Sequence, residues 1–213
     1  MRRIFWNRTE GGKELARVLN DYAGRTDVLV LAIPRGGVPV AYEVAHSLRI
    51  PLDVLVVRKL CLPSHRELAF GAVAPRGLQV LDQELISQHG LSAEEVESVS
   101  AQAREELQRL ELVYRGELPR LDIAHRTIIV VDDGLATGST MRAAVLSLRK
   151  AQAAHILVAV PTAPAEAVAS LRTYADEVVV LSVPDPYLSI GSWYRDFSPL
   201  EDQEVRKQLT VNS

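Results

Sequence analysis

The sequence predicts an α/β fold in which a mostly parallel central sheet is flanked by helices. Short apolar runs rich in β-branched residues recur along the chain, at 28–33, 52–57, 128–131, 156–160 and 178–183. Segments with apolar residues at helical spacing lie between several of these runs, and strands that alternate with helices form parallel sheets. Two of the runs lead directly into glycine-containing turns. In such sheets ligands bind at the carboxyl ends of the strands.

The composition fits one domain with a substantial core. The chain has 213 residues, 47% of them hydrophobic, and a net charge of −3, which gives no reason to expect nucleic-acid binding. Its single cysteine, Cys61, excludes a disulfide framework or a zinc cluster and fits a reducing compartment. The first residues become polar too early for a signal peptide, and no apolar run approaches the roughly 18 residues of a membrane span. We expect a cytoplasmic protein with no nucleic-acid or membrane partner.

The first strand is followed by a turn suited to anions. Residues 11–22 predict an amphipathic helix, and the strand 28–33 runs into Pro-Arg-Gly-Gly at 34–37, after which 38–48 predicts a helix. Backbone N–H groups at the start of a helix lack intrahelical partners and bind anions, and Arg35 adds a positive charge. The alternative is a tight turn whose arginine faces solvent.

The second strand, 52–57, delivers two cations, Arg58 and Lys59, at its end. These cations are candidates for binding an anion, although cations at a strand end can also lie over apolar surface with only their charged heads in water. The following segment, 60–69, is polar and lacks periodicity, so it predicts a mobile loop.

Two short strands and a long helix follow. Residues 69–73 and 78–81 read as strands joined by a hairpin-like turn. From residue 92 to 114 apolar side chains recur every three or four positions, which predicts a helix whose apolar face packs on the core or on a second copy.

The stretch 127–140 carries the strongest signal. It reads Thr-Ile-Ile-Val-Val-Asp-Asp-Gly-Leu-Ala-Thr-Gly-Ser-Thr, a buried strand, two acids, a small-residue loop and a helix start. The loop can hold a phosphate, whereas Asp132 and Asp133 should face hydroxyl groups or a cation. A phosphorylated sugar satisfies both halves. A Walker A loop is excluded because no lysine is present, and Gly134 and Gly138 lack the spacing of a dinucleotide fingerprint.

The last part of the chain predicts a strand at 156–160, a helix at 164–174, a strand at 178–183 and an aromatic C-terminal tail at 184–213. In this tail Tyr187 or Trp193 can stack on a flat ring, or the aromatic residues can close the core as a plug. Residues 201–209 predict a short helix.

The acid pair and its loop resemble the phosphoribosyl-diphosphate (PRPP) loop of type I phosphoribosyltransferases. The turn at 34–37 resembles the pyrophosphate loop of that family, and the Val-Arg-Lys run before residue 60 resembles the start of its flexible loop. The resemblance implies a Rossmann-like core at 1–183, containing a flexible loop at 60–69 and a helical insertion at 92–114. It also implies that 184–213 forms part of a small hood. The whole is most similar to the stand-alone predicted phosphoribosyltransferases of bacteria.

The same resemblance implies transfer of ribose 5-phosphate from PRPP to a nitrogen acceptor, probably best described as a nucleobase in nucleotide salvage, with release of pyrophosphate. Asp132 and Asp133 would hold the ribose, and Lys59 would serve catalysis beside the leaving group. The implied 5-phosphate and ribose site is Asp132, Asp133, Gly134, Ala136, Thr137, Gly138, Ser139 and Thr140. The implied pyrophosphate site is Arg35, Gly36, Gly37, Arg58 and Lys59. Tyr187 and Trp193 would bind the base.

Further expectations come with the family. Mg²⁺ would be bound mainly through PRPP or pyrophosphate, with no protein metal cage, and the Pro34–Arg35 peptide bond would be cis. Relatives are often homodimers. Hypoxanthine-guanine enzymes carry an aspartate where this chain has Ala136, and a lysine where it has 161–164 without one, so the acceptor stays open. The main alternative is a non-catalytic regulator that binds PRPP or a nucleotide. A phosphoacceptor receiver domain has less support, because its acids precede a loop of a different kind.

Overall fold

The structure is a computed structural model and describes residues 4–62, 65–75, 77–116 and 122–210. The helices are α1 (Arg8–Val18), α2 (Gly37–Leu48), α3 (Gln83–Gln88), α4 (Ala93–Arg115), α5 (Ser139–Lys150), α6 (Ala165–Leu171) and α7 (Asp202–Thr210). The strands are β1 (Val28–Ala32), β2 (Leu52–Val54), β3 (Arg58–Leu62), β4 (His65–Ala74), β5 (Leu78–Leu81), β6 (Thr127–Val131), β7 (His155–Thr162) and β8 (Glu177–Ser182). Short 3₁₀ turns lie at Asn20–Tyr22 and Ile190–Trp193.

Five strands form a fully parallel central sheet in the order β2-β1-β6-β7-β8, which confirms the predicted fold class. In the register of β1 and β6, Ala32 lies opposite Val131. The two strands therefore end at the same level of the sheet. The loops that leave them, with Arg35 on one and Asp133 on the other, begin side by side.

The sheet is buried on both faces, as the unbroken apolar runs predict. Successive side chains of a strand point to opposite faces. Val28 and Val30 belong to the core that includes α2, whereas Leu29 and Leu31 belong to the core that includes α5 and α6. Each face of the sheet therefore has its own hydrophobic core, and the site lies where the strands end.

The prediction of an irregular loop at 60–69 is wrong for the residues that the structure describes. β3 and β4 pair antiparallel there, with Arg58 opposite Val73, and β5 completes a small second sheet. The physical reason is the alternation of Leu60 and Leu62, which are 0% and 1% exposed and anchor β3 against the core. Polar residues between the two strands hide this alternation in the sequence. Pro63 and Ser64 lie outside the described residues.

The long helix predicted at 92–114 is confirmed as α4. Ser92 caps it through a capping box with Glu95, in which each side chain accepts from the other residue's backbone N–H. α3, which Asp82 caps through a 3.1 Å bond from the Leu85 backbone N–H, was not predicted.

The two ends of the described chain are joined to each other. The Phe5 backbone N–H donates to Trp193 O at 2.9 Å, and the Arg195 N–H donates back to Phe5 O at 2.9 Å. The C-terminal helix α7, confirmed close to its predicted bounds, packs on α4 and α2. Together these contacts bring α1 and the C-terminal tail to the edge where β6 ends. Within the described parts of the chain, no helix has the length and apolar character needed to cross a membrane.

Candidate active site

The two glycine loops are in direct contact at the carboxyl end of the sheet. A Cβ atom built on Gly36 would lie 2.1 Å from Asp133 Oδ2, and one built on Gly37 would lie 2.6 Å from Val131 O. Only residues without a Cβ permit this approach. The Pro34–Arg35 peptide bond is cis, as expected. The arginine turn and the acid pair therefore form a single site.

The small-residue loop leads into the amino end of α5. Gly138 precedes the helix with φ of 75°, a left-handed conformation that favours glycine. Leu135 fixes the start of the loop, because its side chain is 3% exposed and its N–H donates to Thr162 O at 3.0 Å. The Thr137 hydroxyl donates to Ser139 Oγ at 3.1 Å. The hydroxyls and the first turn of α5 thus lie together, in the arrangement that binds a phosphate.

Lys59 connects the small sheet to this loop. Its Nζ donates to Ser139 Oγ at 3.2 Å. A cleft of about 310 Å³ lies alongside, lined by residues that include Pro34, Arg58, Lys59 and Thr140. The structure therefore gathers the candidate pyrophosphate residues of β3 beside the arginine turn and the start of α5.

Arg35 faces the C-terminal tail. Its Nη1 donates to Leu200 O at 3.1 Å and lies 4.0 Å from Asp202, and its side chain is 56% exposed. The guanidinium is thus accessible, but in this structure it contacts residues just before and at the start of α7.

The acid pair is buried and electrostatically coupled. Burial and the nearby charge of Asp133 raise the pKa of Asp132 well above its usual range. Burial also raises the pKa of Asp133, and Arg8 opposes that effect by favouring the charged carboxylate. Asp132 Oδ1 accepts from the Asp133 backbone N–H at 2.8 Å. The first proton taken up by the pair therefore belongs to Asp132.

Two residues of the site were missed in the sequence. Arg8, the first residue of α1, donates from Nε to Asp133 Oδ2 at 2.8 Å. Tyr194 donates its hydroxyl to the backbone oxygen of Asp133 at 2.5 Å. Arg8 lies 125 positions from Asp133, and no local pattern links them. For Tyr194 the one available signal was the aromatic composition of the tail.

The two candidate base-binding residues pack against each other. The rings of Tyr187 and Trp193 stack with centroids 6.1 Å apart, and Trp193 is 6% exposed. Burial raises the pKa of Tyr187 to about 12. The tail reaches the phosphate loop nearby, because a Cβ atom on Gly134 would lie 2.7 Å from Ile190 Cγ2. Stacking of either ring on an acceptor stays a prediction.

The raised pKa of Asp132 predicts that Asp132→Asn stabilises the free protein at neutral pH. A buried acid with a raised pKa stabilises the fold fully below its unfolded pKa of about 4, and loses that contribution as the pH rises through its folded pKa. Asparagine avoids the buried charge. We expect the Tm at pH 7 to rise by roughly 2–4 °C, the shift that about 1 kcal/mol produces in a chain of this size.

Thermal unfolding followed by circular dichroism between pH 4 and 8 measures this effect. The gain over wild type should increase with pH. The exposed residue Asp21 supplies the control, since Asp21→Asn should leave the pH dependence unchanged. A wild-type pH dependence in Asp132→Asn would contradict the burial of this charge.

The sheet, the arginine turn and the acid-pair loop together define a type I phosphoribosyltransferase. A family model described as "Phosphoribosyl transferase domain" matches residues 7–60 and 72–190. The match includes both glycine loops and the acid pair. The chain belongs to the phosphoribosyl transferase family.

Relatives agree with this assignment. Proteins from two Mycobacterium tuberculosis strains, each named "Putative phosphoribosyl transferase", are 42% identical to this chain over 203 residues, which is 95% of this chain and 46% of theirs. The chain thus spans about half the length of these curated relatives. The crystal structure of TT1426 from Thermus thermophilus covers 100% of both chains with a TM-score of 0.90 and 37% identity.

Proposed function

We propose that the protein transfers ribose 5-phosphate from PRPP to a nitrogen acceptor, a nucleobase, and releases pyrophosphate. One observation carries the proposal: a Cβ atom on Gly36 would lie 2.1 Å from Asp133 Oδ2. PRPP has a diphosphate on one carbon of a ribose and a phosphate at its far end. A substrate of this shape needs an anion-binding turn, a ring-binding acid pair and a phosphate-binding helix start in succession, and these three features adjoin here.

The proposed reaction breaks the bond between the anomeric carbon and the diphosphate oxygen, and a bond from the acceptor nitrogen replaces it. The bonding pair leaves with pyrophosphate, and the acceptor nitrogen gives up a proton. Positive charge develops on the ribose ring as in glycoside chemistry. In this scheme Asp132 and Asp133 hold the ring hydroxyls and lie near that charge, because fixed dipoles and charges act most strongly where water is excluded.

The two phosphate-bearing ends would have separate sites. The hydroxyls of Thr137, Ser139 and Thr140 and the amino end of α5 would hold the 5-phosphate. Arg35, the Gly36 and Gly37 amides, Arg58 and Lys59 would hold the pyrophosphate. Lys59 lies between the two sites, since its Nζ donates to Ser139 Oγ at 3.2 Å. Its ammonium would neutralise charge as the leaving group departs.

Magnesium fits this site as an ion carried by the substrate. Asp133 Oδ2 is occupied by Arg8 at 2.8 Å, and no cluster of three His, Cys, Asp or Glu residues lies together in the described part of the chain. Mg²⁺ keeps several waters and binds readily to substrate phosphates. The turn at 34–37, Arg58 and Lys59 would hold the magnesium-bound diphosphate, and the ion would supply neutralisation of its charge.

The test is release of pyrophosphate from PRPP and Mg²⁺ by the purified protein, measured with purines, pyrimidines and other nitrogen nucleophiles one at a time. We expect release that depends on the acceptor, with at least one nucleobase active. PRPP binding without turnover across the panel would support a non-catalytic regulator instead. A protein that neither binds PRPP nor releases pyrophosphate would overturn the proposal.

A further inference from the structure

We propose that Arg8 is a positioning residue for the acid pair: it orients the Asp133 carboxylate and ties it to the C-terminal tail. This inference rests on the proposed role of Asp133 in holding the ribose. Arg8 is not one of the residues that the resemblance places in the substrate site. Its part would be to keep Asp133 charged and fixed before substrate arrives.

The contact between Arg8 and Asp133 is short and shielded from water. Arg8 Nε donates to Asp133 Oδ2 at 2.8 Å, and the two side chains are 11% and 8% exposed. A charged pair in such surroundings interacts more strongly than one in solvent. Asn7 fixes the start of α1 by accepting from the Glu10 N–H at 3.0 Å, so Arg8 extends from an anchored helix end.

The other side of the guanidinium contacts the tail. The Arg8 Cζ atom lies 3.8 Å from the centroid of the Phe197 ring, and its Nη1 donates to Ser198 O at 2.9 Å. A planar guanidinium can stack on a ring and donate in two directions at once, which an ammonium cannot do. Arg8 is therefore held by the tail while it holds Asp133.

The groups around Asp133 show why a cation is needed. It faces Arg8 from α1, Asp132 from its own loop, and Tyr194 and Tyr187 from the tail. Among the described residues Arg8 is the cation paired with it. Burial and Asp132 both work against a charge on the carboxyl. Without Arg8 the carboxyl would be driven toward its neutral form, which is a poorer acceptor for ribose hydroxyls.

The experiment compares Arg8→Gln and Arg8→Lys with Arg17→Gln. Arg17 supplies the matched control because it lies on the same helix, is 74% exposed and pairs with Glu14. Three quantities are measured: kcat and KM for PRPP, the pH profile of kcat/KM, and the titration of the Asp133 carboxyl in the free protein by NMR. Circular dichroism confirms that each variant is folded.

We expect Arg8→Gln to lower kcat roughly 100-fold through misplacement of the acid pair. The acid limb of the pH profile and the Asp133 titration should both move upward by about one pH unit or more. Arg8→Lys should keep most of the Asp133 titration of wild type but recover only part of kcat, since lysine restores the charge without the stacked, forked geometry. Arg17→Gln should match wild type.

An unchanged pH profile and Asp133 titration in folded Arg8→Gln would overturn the proposal, as would a loss of activity that only follows loss of folded protein. If Arg8→Gln does not fold, Arg8→Lys decides: wild-type kcat in that variant would overturn the proposal, and a reduced kcat with a near-normal titration would support it. If wild type itself shows no turnover, the proposed function fails. The Asp133 titration needs no substrate and still decides the role of Arg8.

Discussion

Replacing Asp133 with asparagine should lower kcat/KM for PRPP by roughly 100- to 1,000-fold, the loss typical when a group aimed at developing charge is removed. The amide has nearly the shape of the carboxylate but no negative charge to place near the ribose ring. Steady-state pyrophosphate release measures the effect. A variant that binds PRPP with Mg²⁺ and turns it over like wild type would remove Asp133 from the mechanism.

The structure adds a stability effect to this prediction. Asp133→Asn leaves the Arg8 guanidinium, whose side chain is 11% exposed, without its counter-charge. Removing one partner of a buried ion pair costs about 3 kcal/mol at the lower end of the usual range, and the remaining amide oxygen favours the lower end. The combined variant Arg8→Gln with Asp133→Asn should regain part of that stability and no activity. This pair of results separates folding from chemistry.

Gly36→Ala should be the most damaging single methyl addition in the site. The new Cβ would lie 2.1 Å from Asp133 Oδ2 and 2.5 Å from its Cγ, so either the turn or the carboxylate must move. Misplacement on this scale can cost roughly 100-fold in turnover. Kinetics of pyrophosphate release, with folding checked by circular dichroism, provide the measurement.

Gly24→Ala is the control for this substitution. Gly24 has a φ of 70° and nothing within 4 Å of the added Cβ, so alanine there strains the backbone without touching the site. It should lower stability by about 1 kcal/mol and leave kcat unchanged. Retention of full activity by Gly36→Ala would show that the contact between the two loops is not needed for function.

The sequence predicted the central sheet because its strands are buried on both faces. A run such as Ile128–Val131 has no polar face, and this pattern is typical of parallel strands covered by helices. The placement of the glycine loops followed from the same reasoning. Because Ala32 lies opposite Val131, loops predicted separately at the two strand ends had to be neighbours.

The antiparallel hairpin β3–β4 and the surroundings of the acid pair could not be predicted in this way. The hairpin depends on Leu60 and Leu62 packing on a core whose shape the local sequence does not show. The contact between Arg8 and Asp133 joins residues 125 positions apart, and an arginine near the start of a chain looks like any exposed charge. Long-range pairing of polar groups leaves no periodic pattern, so only the folded chain reveals it.

The most direct test of the central claim is calorimetric titration of the protein with PRPP in the presence of Mg²⁺. The two loops should hold the two ends of one molecule. We therefore expect one PRPP per chain, displaced by pyrophosphate and by ribose 5-phosphate, and at least about tenfold weaker binding in both Arg35→Gln and Asp133→Asn. Absence of binding, or wild-type affinity in both variants, would contradict a shared site.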